Sequence, residues 1–483
     1  MGWCPKLQYL AQYDKGFEIN RLIFTILIGV IIFSLSFVIF MQTSILRHTV
    51  GPDDIENSNP ILVAYNNELF LFVKSRLRVM DSYINYVAKI NLNGEVVDMW
   101  RLDVEGDIGD ILISRNGTWY MAYVSNGIKV CSSKDGIHWS KPIIIVEDEK
   151  YANGYVKYNR PSLTEMEDGG IFLSFTKFEQ KMSTLEGYDF RNRSLEVYYT
   201  IFDGVDWSEP KYISVLKPTK FIRTGRYGGS NIYWKECEIS DLQPSCFTLK
   251  DGSIGIVAVD QDVKAYEIRG IWFTYLNENG TWSKPIHLSL GTAYFSGVNP
   301  KVFYSFSRDG YFLLFETHVS QDVLFVTFSP DLKKWGKITT FPIWPTHSSI
   351  TELQNGTIVL TYEKFPHVYI SSNNEDNIWS LPKMIEPIIE ERLIKRYEFK
   401  IKINMALLFG FILGLTSMFI HLIVLKCGKE GGYSLRKMCS GSICLLSSSS
   451  SLSVGGSAGS ASSTLMSKAV FRFMSSGVTP SSA

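Results

Sequence analysis

Ser-Lys-Asp-Gly-Ile-His-Trp occupies residues 133–139, directly after the alternating stretch Gly127-Ile128-Lys129-Val130-Cys131. An Asp-Gly pair at the end of an alternating run predicts a β-hairpin, and the Trp that closes it packs back under the turn. Degenerate copies recur: Phe202-Asp203-Gly204-Val205-Asp206-Trp207, Asn279-Gly280-Thr281-Trp282, Ser329-Pro330-Asp331 before Trp335, and Glu375-Asp376-Asn377-Ile378-Trp379. A hairpin that recurs with its aromatic marks a repeat architecture.

The repeat fills residues 50–390. Its unit of roughly 45–80 residues suits the blade of a propeller. Units open at Asn59-Pro60, near Asp110, at Arg160-Pro161, Gln243-Pro244 and Asn299-Pro300, and near His347. Their first hairpins turn at Asn66-Asn67, Asn116-Gly117, Asp168-Gly169, Asp251-Gly252, Asp309-Gly310 and Asn355-Gly356. The first unit ends near Asn93-Gly94 and Trp100, and the others close at Trp139, Trp207, Trp282, Trp335 and Trp379, which are expected in the blade cores. Six copies predict an all-β, six-bladed β-propeller, because no blade can bury both faces of its sheet alone.

The Ser-x-Asp, Gly and Trp of the recurring turn resemble the Asp-box (BNR repeat) of sialidase-like β-propellers, where it marks the outer hairpin of a blade. Arg160-Pro161-Ser162-Leu163 before Asp168-Gly169 resembles the Arg-Ile-Pro opening of sialidases. The resemblance covers about residues 55–385. It implies a glycan-acting exo-glycosidase in which Arg160 binds a carboxylate. That family uses three arginines; this chain carries Lys177, Asp260, Glu316 and Glu363 where further ones sit, and Arg160 falls in the third unit. The family's Tyr nucleophile and Asp acid match no particular residue here, and Tyr227 and Tyr294 are merely available.

Propeller topology assigns the faces. The first strand of a blade starts at one face, its hairpin lies at the other, and the second strand returns. The Asp-box-like turns therefore share the face of the first hairpins, and the site belongs to blade starts and second-strand ends. Counting from the turns gives Lys74, Val124, Lys177, Asp260, Glu316 and Glu363 as strand ends; Asn59, Arg160, Asn299 and His347 are blade starts. The long connection 214–243, with Arg223, Arg226, Tyr227 and Trp234, is expected to overhang the same face, as is the Tyr294 loop. Glu316, Glu363 and Asp260 are the candidate catalytic carboxylates, since glycoside hydrolysis uses an acid with a base or nucleophile. Arg160, Arg223, Arg226, Tyr227, Asn299 and His347 are the candidate substrate-binding residues. Strand-end charges are also commonly just solvated, so a non-catalytic glycan- or protein-binding propeller, an adhesin or receptor, stands as the alternative, with a purely structural envelope protein as a third reading.

Two apolar runs flank the repeat, at 22–41 and 405–425. Each is long enough to cross a bilayer as a helix. Lys6, Lys15 and Arg21 precede the first span and only Arg47 closely follows it, which predicts a cytoplasmic N-terminus, segment 1–21. The first run reads as an uncleaved signal anchor, with a cleaved signal peptide as the alternative; an anchor followed by a second span places the propeller outside the cell and both termini, with the disordered Ser/Gly-rich tail at 426–483, inside. Four Asn-x-Ser/Thr sequons, at Asn116, Asn192, Asn279 and Asn355, lie between the spans; turn chemistry alone also accounts for the three Asn-Gly-Thr copies. Lys plus Arg (48) balance Asp plus Glu (48), so no bulk charge argues for a nucleic-acid partner. The expected partners are a glycan and the lipid bilayer. No metal-ligand cluster or phosphate loop is evident, so no cofactor is expected. Seven cysteines are too few for a disulfide scaffold; Cys237 and Cys246 could pair, Cys131 reads as a buried strand thiol, and Cys427, Cys439 and Cys444 could be palmitoylated or remain free thiols.

Overall fold

The computed structural model describes residues 23–38, 51–78, 80–185, 188–218, 220–226, 233–239, 242–262, 267–288, 298–317, 323–342, 347–373 and 378–430. Each predicted unit forms one sheet, antiparallel throughout except for one parallel pairing in the third, and the six sheets make a six-bladed β-propeller. Blade 1 is β1 (Ile55–Tyr65), β2 (Glu68–Leu77), β3 (Ile84–Ile90) and β4 (Val96–Arg101). Blade 2 is β5 (Asp107–Ile113), β6 (Trp119–Val124), β7 (Gly127–Ser133) and β8 (Ile143–Glu147). Blade 3 is larger: β9 (Glu149–Tyr151), β10 (Gly154–Glu165), β11 (Ile171–Leu185), β12 (Tyr188–Phe202) and β13 (Lys211–Tyr212), joined by the hairpin β14 (Lys220–Arg226) and β15 (Tyr233–Ile239). Blade 4 is β16 (Ser245–Thr248), β17 (Ile254–Asp262), β18 (Glu267–Tyr275) and β19 (Ile286–Leu288). Blade 5 is β20 (Val298–Ser305), β21 (Gly310–Thr317), β22 (Val323–Ser329) and β23 (Thr339–Pro342). Blade 6 is β24 (Ser348–Glu352), β25 (Ile358–Lys364), β26 (His367–Asn373) and β27 (Lys383–Met384).

Successive residues of a strand point to opposite faces. In a propeller both faces of a blade are covered by neighbours, so the second strands read as unbroken apolar runs. In β2, Leu69, Leu71 and Val73 enter the core against blade 6, while Phe70 and Phe72 enter the core against blade 2. In β21, Phe312 and Leu314 face blade 6 and Leu313 and Phe315 face blade 4. One apolar cluster lies at each of the six junctions.

The recurring turns have a shared geometry. Ser133 Oγ accepts from Gly136 N–H (3.0 Å), Asp135 Oδ1 accepts from the N–H groups of Ile137 and His138 (2.9 and 2.8 Å), and Ser133 bridges Trp139. Asp203 caps Val205 and Asp206 in the same way, and Asp331 caps Lys333 and Lys334. These backbone donors hold the Asp203 and Asp331 carboxyls below the usual range, and the Asp135 carboxyl is lowered by His138 and the same kind of donors despite partial burial. The Trp of each turn then packs between its own blade and the preceding one: Trp139 edge-on to Phe72, Trp282 against Phe172 and Tyr199, Trp379 against Phe341. Trp207 and Trp335 fill the corresponding junctions.

Blade 1 lacks that Trp, and its turn at Asn91–Glu95 is closed differently. The segment after β27 crosses to blade 1: Glu386 N–H donates to Gly94 O (2.9 Å), and the Glu386 carboxylate accepts from Val96 N–H (2.9 Å). Ile385 and Ile388 then fill the junction between blades 6 and 1, and Ile389 after them is buried. The C-terminal end of the repeat thus closes the ring.

Some expectations are corrected. Cys246 is a free buried thiol whose Sγ lies 3.1 Å from Ser162 O, so it does not pair with Cys237, which sits on β15 rather than in a shared loop. Cys131 is a free, buried thiol as expected. The helices outside the propeller are α1 (Ile23–Val38) and α2 (Glu391–Glu430). Among the described residues only α2, over Glu391–Ile423, is long and apolar enough to cross a membrane; α1 is shorter than the 22–41 run. The two helices meet at small residues: Gly29 faces Gly414, the Phe33 ring lies over Gly410, and Phe24 is 6.3 Å from His421 between ring centroids. That order of contacts is antiparallel. Chain segments 1–22 and 431–483, with Cys439 and Cys444, lie outside the described residues, and α2 runs through Cys427 to Glu430.

Closure by the C-terminal segment gives a test. Ile388 and Ile389 are buried, so replacing either by Ala is expected to cost about 2–4 kcal/mol and to lower the urea midpoint accordingly. An unchanged midpoint would show that the ring closes without this segment.

Candidate functional site

A channel of about 1480 Å³ follows the propeller axis, lined by the first strands of all six blades. Asn59, Asp110, Arg160, Gln243, Asn299 and His347 mark its mouth on the blade-start face, one from each blade. Below them the wall becomes apolar, with Ile61, Ile111, Leu163, Val302 and Ile350 among the lining residues.

A β-bulge shapes this mouth. In blades 1, 3 and 5 the pairing of first and second strands slips between Ser58 and Ile61, Asn159 and Ser162, and Val298 and Lys301. Each bulge contains an X-Pro pair, where Pro has no ladder hydrogen bond to donate. The residue before Pro is left-handed in four blades: Asn59 (φ 53°), Arg160 (φ 57°), Gln243 (φ 43°) and Asn299 (φ 49°). Asn tolerates that conformation; for Arg and Gln it costs about 1–2 kcal/mol. In blade 2 the slip falls between Ile108 and Asp110, and Gly109 replaces Pro. A Cβ there would lie 2.5 Å from the Pro161 ring of blade 3, so only Gly fits.

The side chains at the mouth form chains of hydrogen bonds between blades. Arg160 Nη1 donates to Asn299 Oδ1 (3.1 Å), reaching from blade 3 to blade 5 over the intervening blade. Asn299 Nδ2 donates to Glu316 Oε2 (2.9 Å), Asn299 N–H donates to Gln243 Oε1 (2.5 Å), and Ser348 Oγ donates to Glu316 Oε1 (3.4 Å). On the other side, Glu363 Oε2 accepts from Asn59 N–H (3.0 Å) and lies 3.5 Å from His347 Nδ1. Lys74 pairs with Asp107 of blade 2. The structure therefore joins Arg160, Asn299 and Glu316 in one network and His347, Glu363 and Asn59 in another. Both glutamates are nearly closed to solvent, Glu316 at 1% and Glu363 at 5% exposure.

Two expected strand-end residues are misplaced. In blade 3 the residue opposite the strand just before the bulge is Thr176, paired with Asn159 as Glu316 is with Val298, so Thr176 is the matching position, and it lines the channel. A one-residue shift turns the side chain to the other face. Lys177 accordingly packs its Nζ 5.9 Å from the Tyr198 ring centroid, outside the channel. In blade 4 the matching position is Val259, and Asp260 is its neighbour. The side chains of Asp260, Arg223 and Arg226, and Tyr227 and Tyr294 entirely, lie outside the described residues. On β14, Arg223 is opposite Glu236 and Arg226 opposite Tyr233, so the long connection extends the sheet of blade 3 as a hairpin.

Asp110 was missed as a site candidate, although the second unit opens there. Its Oδ2 accepts from Leu163 N–H (2.8 Å) and Ser162 Oγ (3.1 Å), and its Oδ1 accepts from Ile111 N–H (2.9 Å). Lys301 donates to Ser348 O (2.9 Å). Asp110 and Lys301 are both half-buried, and both border the channel. Burial pushes the Asp110 carboxyl up, against the pull of Lys301 and its hydrogen bonds. Burial pushes the Lys301 ammonium down, against Asp110 and Glu316 and with help from Arg160. Among the described residues no group of three His, Cys, Asp or Glu is placed to hold a metal ion.

No family model and no curated protein matches the chain. Several solved structures resemble it. An α-L-arabinofuranosidase from Lactobacillus brevis is 14% identical, with 58% of this chain and 94% of that one covered and a TM-score of 0.38. An α-L-arabinanase from Cellvibrio cellulosa, complexed with arabinohexaose, is 14% identical over 60% of this chain and 98% of that one, with a TM-score of 0.33. A protein of unknown function from Dyadobacter fermentans is 14% identical over 67% and 80%, with a TM-score of 0.39.

The left-handed Arg160 yields a prediction. Arg160→Asn supplies a residue that accepts positive φ, so relieved strain of about 1–2 kcal/mol should at least offset the lost hydrogen bond to Asn299. The urea midpoint is expected to stay level or rise. A fall of more than about 1 kcal/mol would mean that Arg160 is kept for stability.

Proposed function

We propose that the protein is a membrane-anchored, glycan-acting propeller, a glycoside hydrolase that takes its substrate at the blade-start mouth of the channel. The observation that carries this reading is the state of Asp110: a carboxyl raised by burial, bordering a channel that also holds Arg160, Lys301 and Glu316. A carboxyl whose hold on its proton is raised suits a general acid, and a second carboxylate in the same site completes the pair that glycoside hydrolysis uses. Asp110 would protonate the leaving oxygen, Glu316 would serve as the second carboxylate, and Arg160 and His347 would hold an acidic or hydroxyl-rich sugar. Glu363 then orients His347 rather than reacting. Sugars are polyols, and a channel mouth with donors and acceptors of both signs suits them. Some proteins with a similar fold act on arabinans by their descriptions, which places arabinosides beside sialosides among the substrates to try.

The membrane reading rests on α2, on the apolar surface that α1 and α2 expose, and on the small residues where they meet. In it the propeller lies outside the cell and both termini inside.

A second reading, binding without hydrolysis, is favoured by the hydrogen bonds and burial that already occupy Glu316 and Glu363. One experiment separates the two. The full chain in detergent is offered aryl arabinosides, xylosides and sialosides, and initial rates are followed against pH for the wild type, Asp110→Asn and Glu316→Gln. The hydrolase reading expects turnover that fades as pH rises through the elevated range of Asp110. It also expects a loss of at least about 100-fold in Asp110→Asn. Folded wild type that binds a sugar without turning it over would establish the second reading instead.

A further inference from the structure

We infer that Asn116, Asn279 and Asn355 are N-glycosylated and that their glycans together cover the face opposite the channel mouth. The inference rests on the proposed placement of the propeller outside the cell, but not on any activity at the mouth. Asn116 and Asn355 sit in the first hairpins of blades 2 and 6, and Asn279 sits in the Trp-closed turn of blade 4. All three turns lie on the hairpin face, on alternate blades, and all three Asn are exposed.

The turns share a polar geometry. Asn116 Oδ1 accepts from Thr118 N–H (2.9 Å), Asn279 Oδ1 from Thr281 N–H (3.0 Å), and Asn355 Oδ1 from Thr357 N–H (3.0 Å). The side-chain oxygen is thus engaged with the backbone of the sequon's own Thr. Among the described residues none of the three Nδ2 atoms makes a hydrogen bond, so the nitrogen that would carry the sugar points to solvent. Glycosylation joins Nδ2 to the anomeric carbon of an oligosaccharide supplied on a polyprenyl diphosphate. The bond from that carbon to the diphosphate oxygen breaks, and Nδ2 loses one proton.

The same face carries an apolar load that such glycans would screen. Phe306 is 83% exposed at the first hairpin of blade 5, Val205 79% in the Trp-closed turn of blade 3, and Ile378 and Leu381 72% and 86% in that of blade 6. Exposed aromatic and aliphatic tips in that number invite association unless covered.

The test uses the full chain expressed in a eukaryotic cell that glycosylates secretory proteins. Its membrane fraction is digested with a glycoamidase, which leaves Asp where a glycan stood, and peptides are mapped by mass spectrometry. Conversion at 116, 279 and 355 is expected, with Thr281→Ala and Thr357→Ala each abolishing conversion only at its own Asn. Recovery of any of the three as unmodified Asn would overturn the inference. Because the readout is a peptide mass, it is independent of whether the mouth binds or cleaves a sugar.

Discussion

Along the channel the first strand of each blade has a partner on one edge only; its other edge faces the axis, and even in blade 3 the short β9 covers only Gly154–Val156 of β10. An N–H left bare and buried there would cost about 1–3 kcal/mol. The propeller meets this with side chains lent from the preceding blade. Ser349 accepts from Leu62 N–H, Asp110 from Leu163 N–H, Ser162 from Cys246 N–H, Glu363 from Asn59 N–H and Gln243 from Asn299 N–H. The ring of polar groups around the mouth is therefore demanded by the architecture before any function is considered. That constraint also sorts the candidates. Glu363 and Gln243 have a structural reason to be where they are. Arg160 does not, because a guanidinium accepts nothing and cannot cap an N–H. It holds a strained backbone and reaches across the channel instead, and such outliers gather at functional sites.

Much of this was legible in the sequence, for local reasons. Asn-Gly and Asp-Gly turns, five turn-closing Trp residues and repeated X-Pro openings each have one dominant physical reading, and they agree. The first unit ends near Trp100 with no turn-closing Trp, and what replaces it was not legible, because Ile385 and Ile388 close the ring by a contact nearly 300 residues away in sequence, as the 290-residue span from Val96 to Glu386 illustrates. Lys177 was misassigned because it lies eight residues past Gly169, whereas Glu363 lies seven past Gly356 in a turn of the same kind, and a strand reads out every such slip as a change of face. Asp110 was passed over because its blade opens with Gly109 in place of Pro. The reason for that Gly, the Pro161 ring of the next blade, is a contact no local pattern encodes. Likewise, Cys237 and Cys246 are close in number yet lie on different strands, β15 and β16.

The same constraint shapes the chemistry open to the site. Glu316 and Glu363, the carboxylates that the repeat brought forward, are drawn into holding neighbouring blades together, and little of either reaches solvent. Asp110 also bonds to the next blade, but it borders the channel and burial raises its carboxyl. The catalytic role proposed at the mouth would draw on groups that the fold already needs.

The central claim is that a glycan binds where Arg160 crosses the channel mouth. It is tested most directly by a cryo-electron microscopy structure of the full chain in a lipid nanodisc with an acidic oligosaccharide. The account predicts sugar density at the blade-start face, with a carboxylate or hydroxyl pair on the Arg160 guanidinium and a further contact to His347. Density seated elsewhere on the propeller, with the Arg160–Asn299 bond undisturbed, would contradict it.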